Sequence, residues 1–381
     1  MRARYVKQEH HLLRDSFRKF LEKEVKPFFE QWEEERLIPR SFWKKLGDNG
    51  YLCPWVDEQY GGLGADFAYS VVITEELERI GSGLLGVSLH NDIVVPYISS
   101  FGTEEQKQRW LPGCISGDII TAIAMTEPGT GSDLANIRTT AIPDGECYVV
   151  NGQKTFISNG ILANLVVVAV KTDPHAKPAH KGVSLLVMED GTPGFSRGRK
   201  LNKVGLHSQD TAELIFEDCR VPKANLLGQE GNGFRYLMEK LQQERLMVAI
   251  MAQVSAEEML AQTIPYIQSR QAFGQPISSF QHTQFTVAEM ATEIELGRAF
   301  LDQLIESHMA GDNVVTQVSM AKWWITEMAK RIAGQCMQLH GGYGYMEEYP
   351  IARRYRDIPV SAIYAGTNEI MKSIIAKNMG L

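Results

Sequence analysis

CYVVNGQKTFIS, residues 147–158, lies in the stretch where the chain exchanges a helical repeat for β-rich runs. Asn151-Gly152 lies between two such runs. Both residues accept the positive φ of a tight two-residue turn, so the stretch predicts a β-hairpin. LVVVAV (165–170), GVSLLVM (182–188) and AELIFED (212–218) follow as further short β-rich runs between turn-formers. LVVVAV is too short to span a bilayer and reads as a buried strand. These signals occupy residues from about 120 to 227.

On either side the period is helical. LLRDSFRKFLEKEVKPFFEQW (12–32) alternates faces every 3.6 residues, and TEEQKQRWL (103–111) opens on a capping box, Thr103 with Gln106. After Gly231 two helical segments, 233–270 and 280–311, exceed the usual length of globular helices. That length implies a bundle or a subunit interface. The order is helices, then a β unit, then helices.

Composition narrows the function classes. The chain has 381 residues and a net charge of −7, which argues against a nucleic-acid-binding surface. Its five cysteines are scattered without a C-x-x-C pair, as expected of reduced, mostly buried thiols and not of a disulfide framework or zinc site. The nine histidines show no ligand spacing beyond His10-His11, expected on a solvated helix face, so no metal is expected. The opening MRARYVKQEHHLLRDSF lacks an apolar signal core. A soluble protein with no membrane span is expected. No G-x-G-x-x-G, phosphate loop, H-E-x-x-H or nucleophile elbow is present.

Five stretches carry candidate chemistry. Through KLQQERLMVAIMAQ (240–253) and the turn before it, Leu237, Leu241, Glu244, Val248 and Met251 share one helical stripe, so Glu244 sits in the face that packs. The bland reading pairs it with Lys240 one turn earlier, in an orientation worth only about 0.2–0.5 kcal/mol. AMTEPGTGSDL (124–134) is a turn rich in N–H and O–H donors, suited either to a polar ligand or to bonding its own backbone. SRQAFGQPIS (269–278) places an arginine before an aromatic and a glycine, which suits a phosphate oxygen or a plain connector between helices. QLHGGYGYMEEYPIARRYRD (338–357) and AIYAGTNEI (362–370) contain tight glycine turns, with Thr367 as a plausible N-cap of the last helix.

Taken together, MTEPGTGSD (125–133), FIS (156–158), RQAFG (270–274), QLHGGYGYMEEYPIARRYRD and YAGTNEI (364–370) resemble the acyl-CoA dehydrogenase family along the whole chain. The resemblance implies a mostly α, α+β fold. Its parts would be an N-terminal helical domain (1–118), a middle β-barrel or sandwich (119–228) and a C-terminal four-helix bundle (229–381). It also implies FAD, a homotetramer and an electron-transferring flavoprotein as electron acceptor. The compartment would be the cytoplasm, or the mitochondrial matrix for a mature eukaryotic chain.

The family's flavin contacts fall on Ile123, Ala124, Met125, Thr126 and Ser132, on Phe156, Ile157 and Ser158, on Arg270, Phe273 and Gln281, and on Thr367 and Glu369. Gln338, Gly341 and Gly342 would come from a partner subunit. Ser132, His180, Gln242, Arg245, Ala365 and Gly366 would surround the substrate. Many members carry the catalytic glutamate where this chain has Ala365. The long-chain and isovaleryl-type branches place it on the long helix in an E-R-L context, which Glu244-Arg245-Leu246 matches. The backbone N–H of Ala365 would remain as a donor to the substrate oxygen, and Arg245 would orient Glu244 or line the CoA side. GRKLNKVGLHSQDTAELIFEDCRVP (198–222) looks most like the long-chain branch. The resemblance therefore implies α,β-dehydrogenation of a medium- or long-chain acyl-CoA. A short branched substrate, or a flavin and acyl-CoA binding protein without turnover, stays open.

Overall fold

In this computed structural model residues 4–381 are described; Met1 to Ala3, where the opening amphipathic stretch begins, lie outside them. Seven N-terminal helices run from α1 (Gln8–Glu24) through α2 (Phe29–Glu35), α3 (Arg40–Asp48), α4 (Phe67–Ile80), α5 (Leu85–Ser88) and α6 (Val95–Phe101) to α7 (Glu104–Ser116). Thr103 and Gln106 form the expected reciprocal cap of α7. His10 departs from expectation: it is buried, accepting the Lys7 N–H at 2.9 Å and meeting Asp66 at 3.1 Å, while His11 alone faces solvent. A histidine that can cap a helix start and satisfy a second partner gains more inside than on a wet face.

The middle unit is an eight-stranded mixed sheet: β1 (Thr121–Ala124), β2 (Thr140–Asp144), β3 (Cys147–Ser158), β4 (Leu165–Lys171), β5 (Val183–Glu189), β6 (Phe195–Lys200), β7 (Thr211–Pro222) and β8 (Leu226–Leu227). Its order is β6-β7-β3-β2-β4-β5-β8, with β1 parallel to β4. The predicted hairpin at Asn151-Gly152 does not form. β3 continues through both residues, and the reversal lies earlier, at Gly145-Glu146, where Asp144 pairs with Cys147. Gly152 is there because Thr139 approaches so closely that a Cβ would lie 2.7 Å from its Cα. Asn151 exchanges side-chain hydrogen bonds with Asp218 on β7 beside a register shift. An Asn-Gly pair permits a turn but equally permits a bulge with a close approach.

β4 explains its unbroken apolar run. Leu165, Val167 and Ala169 pack with Ile98, Trp110 and Leu237 of the helices, while Val166, Val168 and Val170 pack with Val150, Leu214 and Phe216 of the sheet. Both faces of the strand are covered.

The C-terminal unit is built on α8 (Gly233–Ser269), a 37-residue helix, with α9 (Gln281–Met309), α10 (Val315–His340), α11 (Pro350–Asp357) and α12 (Asn368–Asn378). Leu246, Ile250, Met259, Met290, Leu301, Ile325 and Met328 share its core with Ala68 and Val71 of α4. The α8 stripe packs as its spacing requires: Leu237, Leu241, Val248 and Met251 are all buried. Cys53, Cys114, Cys219 and Cys336 are buried free thiols and Cys147 is half-buried. Among the described residues no helix is long and apolar enough to cross a membrane.

Candidate functional site

Glu244 is 3% exposed, and the Tyr97 hydroxyl of α6 donates to its Oε1 across 2.6 Å. Burial pushes the carboxyl up to about 7, against the opposing pull of Tyr97 and then Arg245 and Lys240. Lys240 is not its ion-pair partner: the ammonium donates to Ser100 at 2.7 Å and lies over the Phe101 ring. Nor does Arg245 bind it among the described residues. The Arg245 Nε instead reaches the Ala365 carbonyl at 3.5 Å.

One turn along the stripe, Val248 and Met251 join Leu85 and Leu206 in a cluster against which Tyr364 and Ala365 pack. The helix that carries the carboxylate thus also seats the Ala365-Gly366 turn. That turn has φ of +53° and +88°, the left-handed region that alanine occupies at a cost of about 1–2 kcal/mol. Among the described residues neither the Ala365 nor the Gly366 N–H meets an acceptor, so both are free donors at a half-buried position. The Thr367 hydroxyl accepts from the Ile370 N–H, capping α12 as predicted, and Glu369 is exposed in its first turn.

The second cluster lies at one end of the sheet. β1 leads through Ile123 and Ala124, whose side chains are buried, to Met125 and Thr126. The Thr126 carbonyl accepts from the Thr155 N–H at 2.9 Å, which sets this segment beside Phe156. A bulge between Lys154 and Ile157 turns Phe156 outward, with φ +59° and 67% exposure. Bulges of this kind re-aim side chains next to sites. Ile157 points the other way, into the sheet core, so only its backbone and the half-buried Ser158 share that edge.

The TEPGTGSD turn closes through a reciprocal Glu127–Thr130 backbone pair and is anchored to its surroundings by the Glu127 side chain. Glu127 accepts from the Arg138 and Thr139 amides and from the buried Lys154, which also donates to the Met125 carbonyl at 2.9 Å. Burial opposes ionisation of Glu127, but Lys154 and the Thr139 donors outweigh it and hold the carboxyl low. Ser132 remains exposed beside them.

A third group lines a groove of about 890 Å³ with Tyr266, Arg270, Phe273, Gln338, Gly341 and Gly342 on its walls. Phe273 is 96% exposed at the tip of a two-residue turn, and Arg270 lies 5.4 Å over the Tyr343 ring. Arg270 and Gln338 line the same groove of one protomer. An added Cβ at Gly341 or Gly342 would meet open space, leaving the main chain approachable. Gln281 is exposed at the start of α9.

Two expected substrate contacts, Gln242 and His180, have partners within the chain. Gln242 is engaged with the α9–α10 connection, donating to His308 and the Asp312 carbonyl and accepting from the Val314 N–H. His180 packs its ring 5.4 Å from that of Phe234 at the start of α8.

Sequence reading missed Tyr97, Lys154 and Lys322. Lys322 is fully buried and donates to the Gly366 carbonyl at 2.8 Å and to Asn368 at 3.1 Å. A lysine inside the apolar run VSMAKWWITEMA (318–329) was the available signal, of the same kind that marked Glu244.

The chain resembles known proteins over its full length. It is 45% identical to the long-chain specific mitochondrial acyl-CoA dehydrogenase of Sus scrofa, covering 99% of this chain and 87% of that one. It is 38% identical to the short-chain specific enzyme of Rattus norvegicus, over 98% and 90%. The crystal structure of an acyl-CoA dehydrogenase from Geobacillus kaustophilus superposes with a TM-score of 0.99 at 70% identity, covering 100% of each chain. A glutaryl-CoA dehydrogenase from Mycobacterium smegmatis, solved in complex with FADH2, does so at 0.91 and 30% identity, over 98% and 95%. The N-terminal, middle and C-terminal domain models of one family match residues 7–118, 122–219 and 231–380, and the chain belongs to that family, the acyl-CoA dehydrogenases.

Proposed function

We propose that this acyl-CoA dehydrogenase desaturates a medium- or long-chain fatty acyl-CoA to the trans-2-enoyl thioester, with Glu244 as the base that removes the α-proton. The observation that carries the reading is a dry carboxylate at about 7, on the helix face that also packs the Ala365 turn. At its ordinary value near 4.5 a carboxylate is a feeble base for a carbon acid, and burial raises its basicity. As the proton leaves, charge develops on the thioester oxygen. The free Ala365 N–H is the donor this chain offers it, an interaction worth about 2.7–4 kcal/mol in sites of this kind.

The residues also suit FAD. Phe156 offers an exposed aromatic face beside Thr126 and Ser158, the exposed Ser132 adds a further donor, and Arg270 with the open Gly341-Gly342 backbone suits a pyrophosphate and adenosine. FAD, when bound, supplies the N5 that accepts the β-hydrogen as hydride. An electron-transferring flavoprotein would then take the electrons, and a homotetramer would cover exposed apolar residues such as Phe285 and Leu296 on α9. The greater identity to a long-chain enzyme supports the chain-length reading.

Anaerobic mixing of the holoenzyme with acyl-CoAs of graded length tests it. Bleaching of the flavin absorbance by medium and long chains, abolished in E244Q, is the expected result. Bleaching by isovaleryl-CoA alone would move the substrate class. Thioester binding with no reduction by any chain would leave a binding protein and overturn the proposal.

A further inference from the structure

We propose that Lys322 is a positioning residue for this reaction, holding the Ala365-Gly366 turn so that its free amides stay presented to the thioester oxygen. The inference rests on the dehydrogenase reading and adds a residue to it. Lys322 projects from α10 inside the core, and its ammonium donates to the Gly366 carbonyl at 2.8 Å and to Asn368 Oδ1 at 3.1 Å. From α8, Arg245 reaches the preceding carbonyl, that of Ala365. Two cations on two helices therefore draw two consecutive carbonyls to the core side.

A trans peptide carries its N–H opposite its C=O. A carbonyl held inward at residue 365 leaves the next amide, Gly366 N–H, facing away from the helices. The same hold at residue 366 fixes the peptide that leads into the Thr367 cap, so the Ala365 N–H, on the peptide before both, is positioned through the backbone angles of a turn anchored on its C-terminal side. The turn between these anchors has φ of +53° at an alanine, a conformation that only its surroundings maintain. Asn368 locks the ammonium in place: its side chain also bonds Thr326 and Glu327.

A lysine ammonium buried without a carboxylate directly on it is costly. Burial, and then the nearby Arg245, bring Lys322 down to about 7, with Glu369 and Glu327 opposing. Packing alone would be served at lower cost by methionine or leucine. What lysine adds is a donor that reaches the turn.

The test uses the FAD holoenzyme and three variants. K322M removes the donor at nearly constant volume, K322R keeps a charged donor, and E244Q reports on the parent reading. K322M is expected to retain flavin, keep KM within about twofold and lose kcat by roughly 10–100-fold, because the misplaced donor acts mainly in the transition state. K322R should recover at least part of that loss.

A second readout needs no turnover. A 3-ketoacyl-CoA has an acidic α-carbon, so a site that stabilises a thioester enolate would hold it as the enolate, whose charge transfer to oxidised flavin would give a long-wavelength band. At fixed pH K322M should lower the band at saturation while leaving the ligand's affinity within about threefold.

A K322M enzyme with wild-type kcat and an undiminished enolate band would overturn the proposal, while E244Q would still report separately on the base. If K322M fails to hold flavin, K322Q, which keeps a neutral donor, is measured in the same way. Loss of flavin in both would also overturn it, because the lysine would then serve folding and not the turn.

Discussion

The Tyr97 hydroxyl and the Glu244 carboxylate meet across 2.6 Å although 147 residues separate them in the chain. One lies on the short N-terminal helix α6, the other on the long helix of the bundle. The contact fixes the carboxylate rotamer and favours its ionised form, against the burial that disfavours it.

Y97F removes the donor and keeps the ring. The carboxyl should then rise further above about 7, and the acidic limb of the kcat profile should move up by about one pH unit, consistent with a charge-assisted hydrogen bond of about 1.5–3 kcal/mol. Initial rates from pH 5.5 to 9.5 measure this. A limb that stays in place would separate Tyr97 from the base.

E244Q should lose turnover while gaining stability in a definite pH window. Glu244 binds its proton more tightly folded, at about 7, than at its ordinary value of 4.5, so wild-type stability declines as pH rises through that interval. The glutamine variant escapes the decline and can still accept from Tyr97. The two proteins should match near pH 4 and differ at pH 8 by up to about 3 kcal/mol, the worth of that interval. Urea titrations at both values provide the comparison.

The buried pair Lys154–Glu127, at 2.8 Å, holds the turn that carries Met125 and Thr126. K154M leaves Glu127 buried without its cation and should cost about 3–5 kcal/mol. The double variant K154M/E127Q should lose less than K154M alone. Flavin retention should fall alongside stability, which gel filtration with absorbance at the flavin wavelength would show.

R270A tests the groove. Arg270 is exposed on its wall, so the fold should tolerate the change. A charge-assisted contact to a phosphate is worth about 1.5–3 kcal/mol, so FAD should bind roughly 10–100-fold more weakly. Fluorescence titration of apoprotein with FAD checks it, and added salt should shrink the difference.

Periodicity carried much of this protein into view. The α8 stripe, the buried run of β4, the capping box at Thr103 and the cap at Thr367 are local consequences of residue spacing and side-chain chemistry, so each could be read directly. Glu244 stood out for the same reason, as a charge in a stripe of apolar residues.

What surrounds that charge is set by contacts between distant segments, which no spacing encodes. Asn151-Gly152 is compatible with both a turn and a bulge, and the approach of Thr139 decided for the bulge. Arg245 bonds the Ala365 turn and not its neighbour Glu244, because side chains at successive helix positions point about 100° apart. Tyr97 and Lys322 make their contacts only because α6, α10 and the 365–366 turn converge on α8. Burial, which sets the proton affinity of Glu244, arises from that convergence alone.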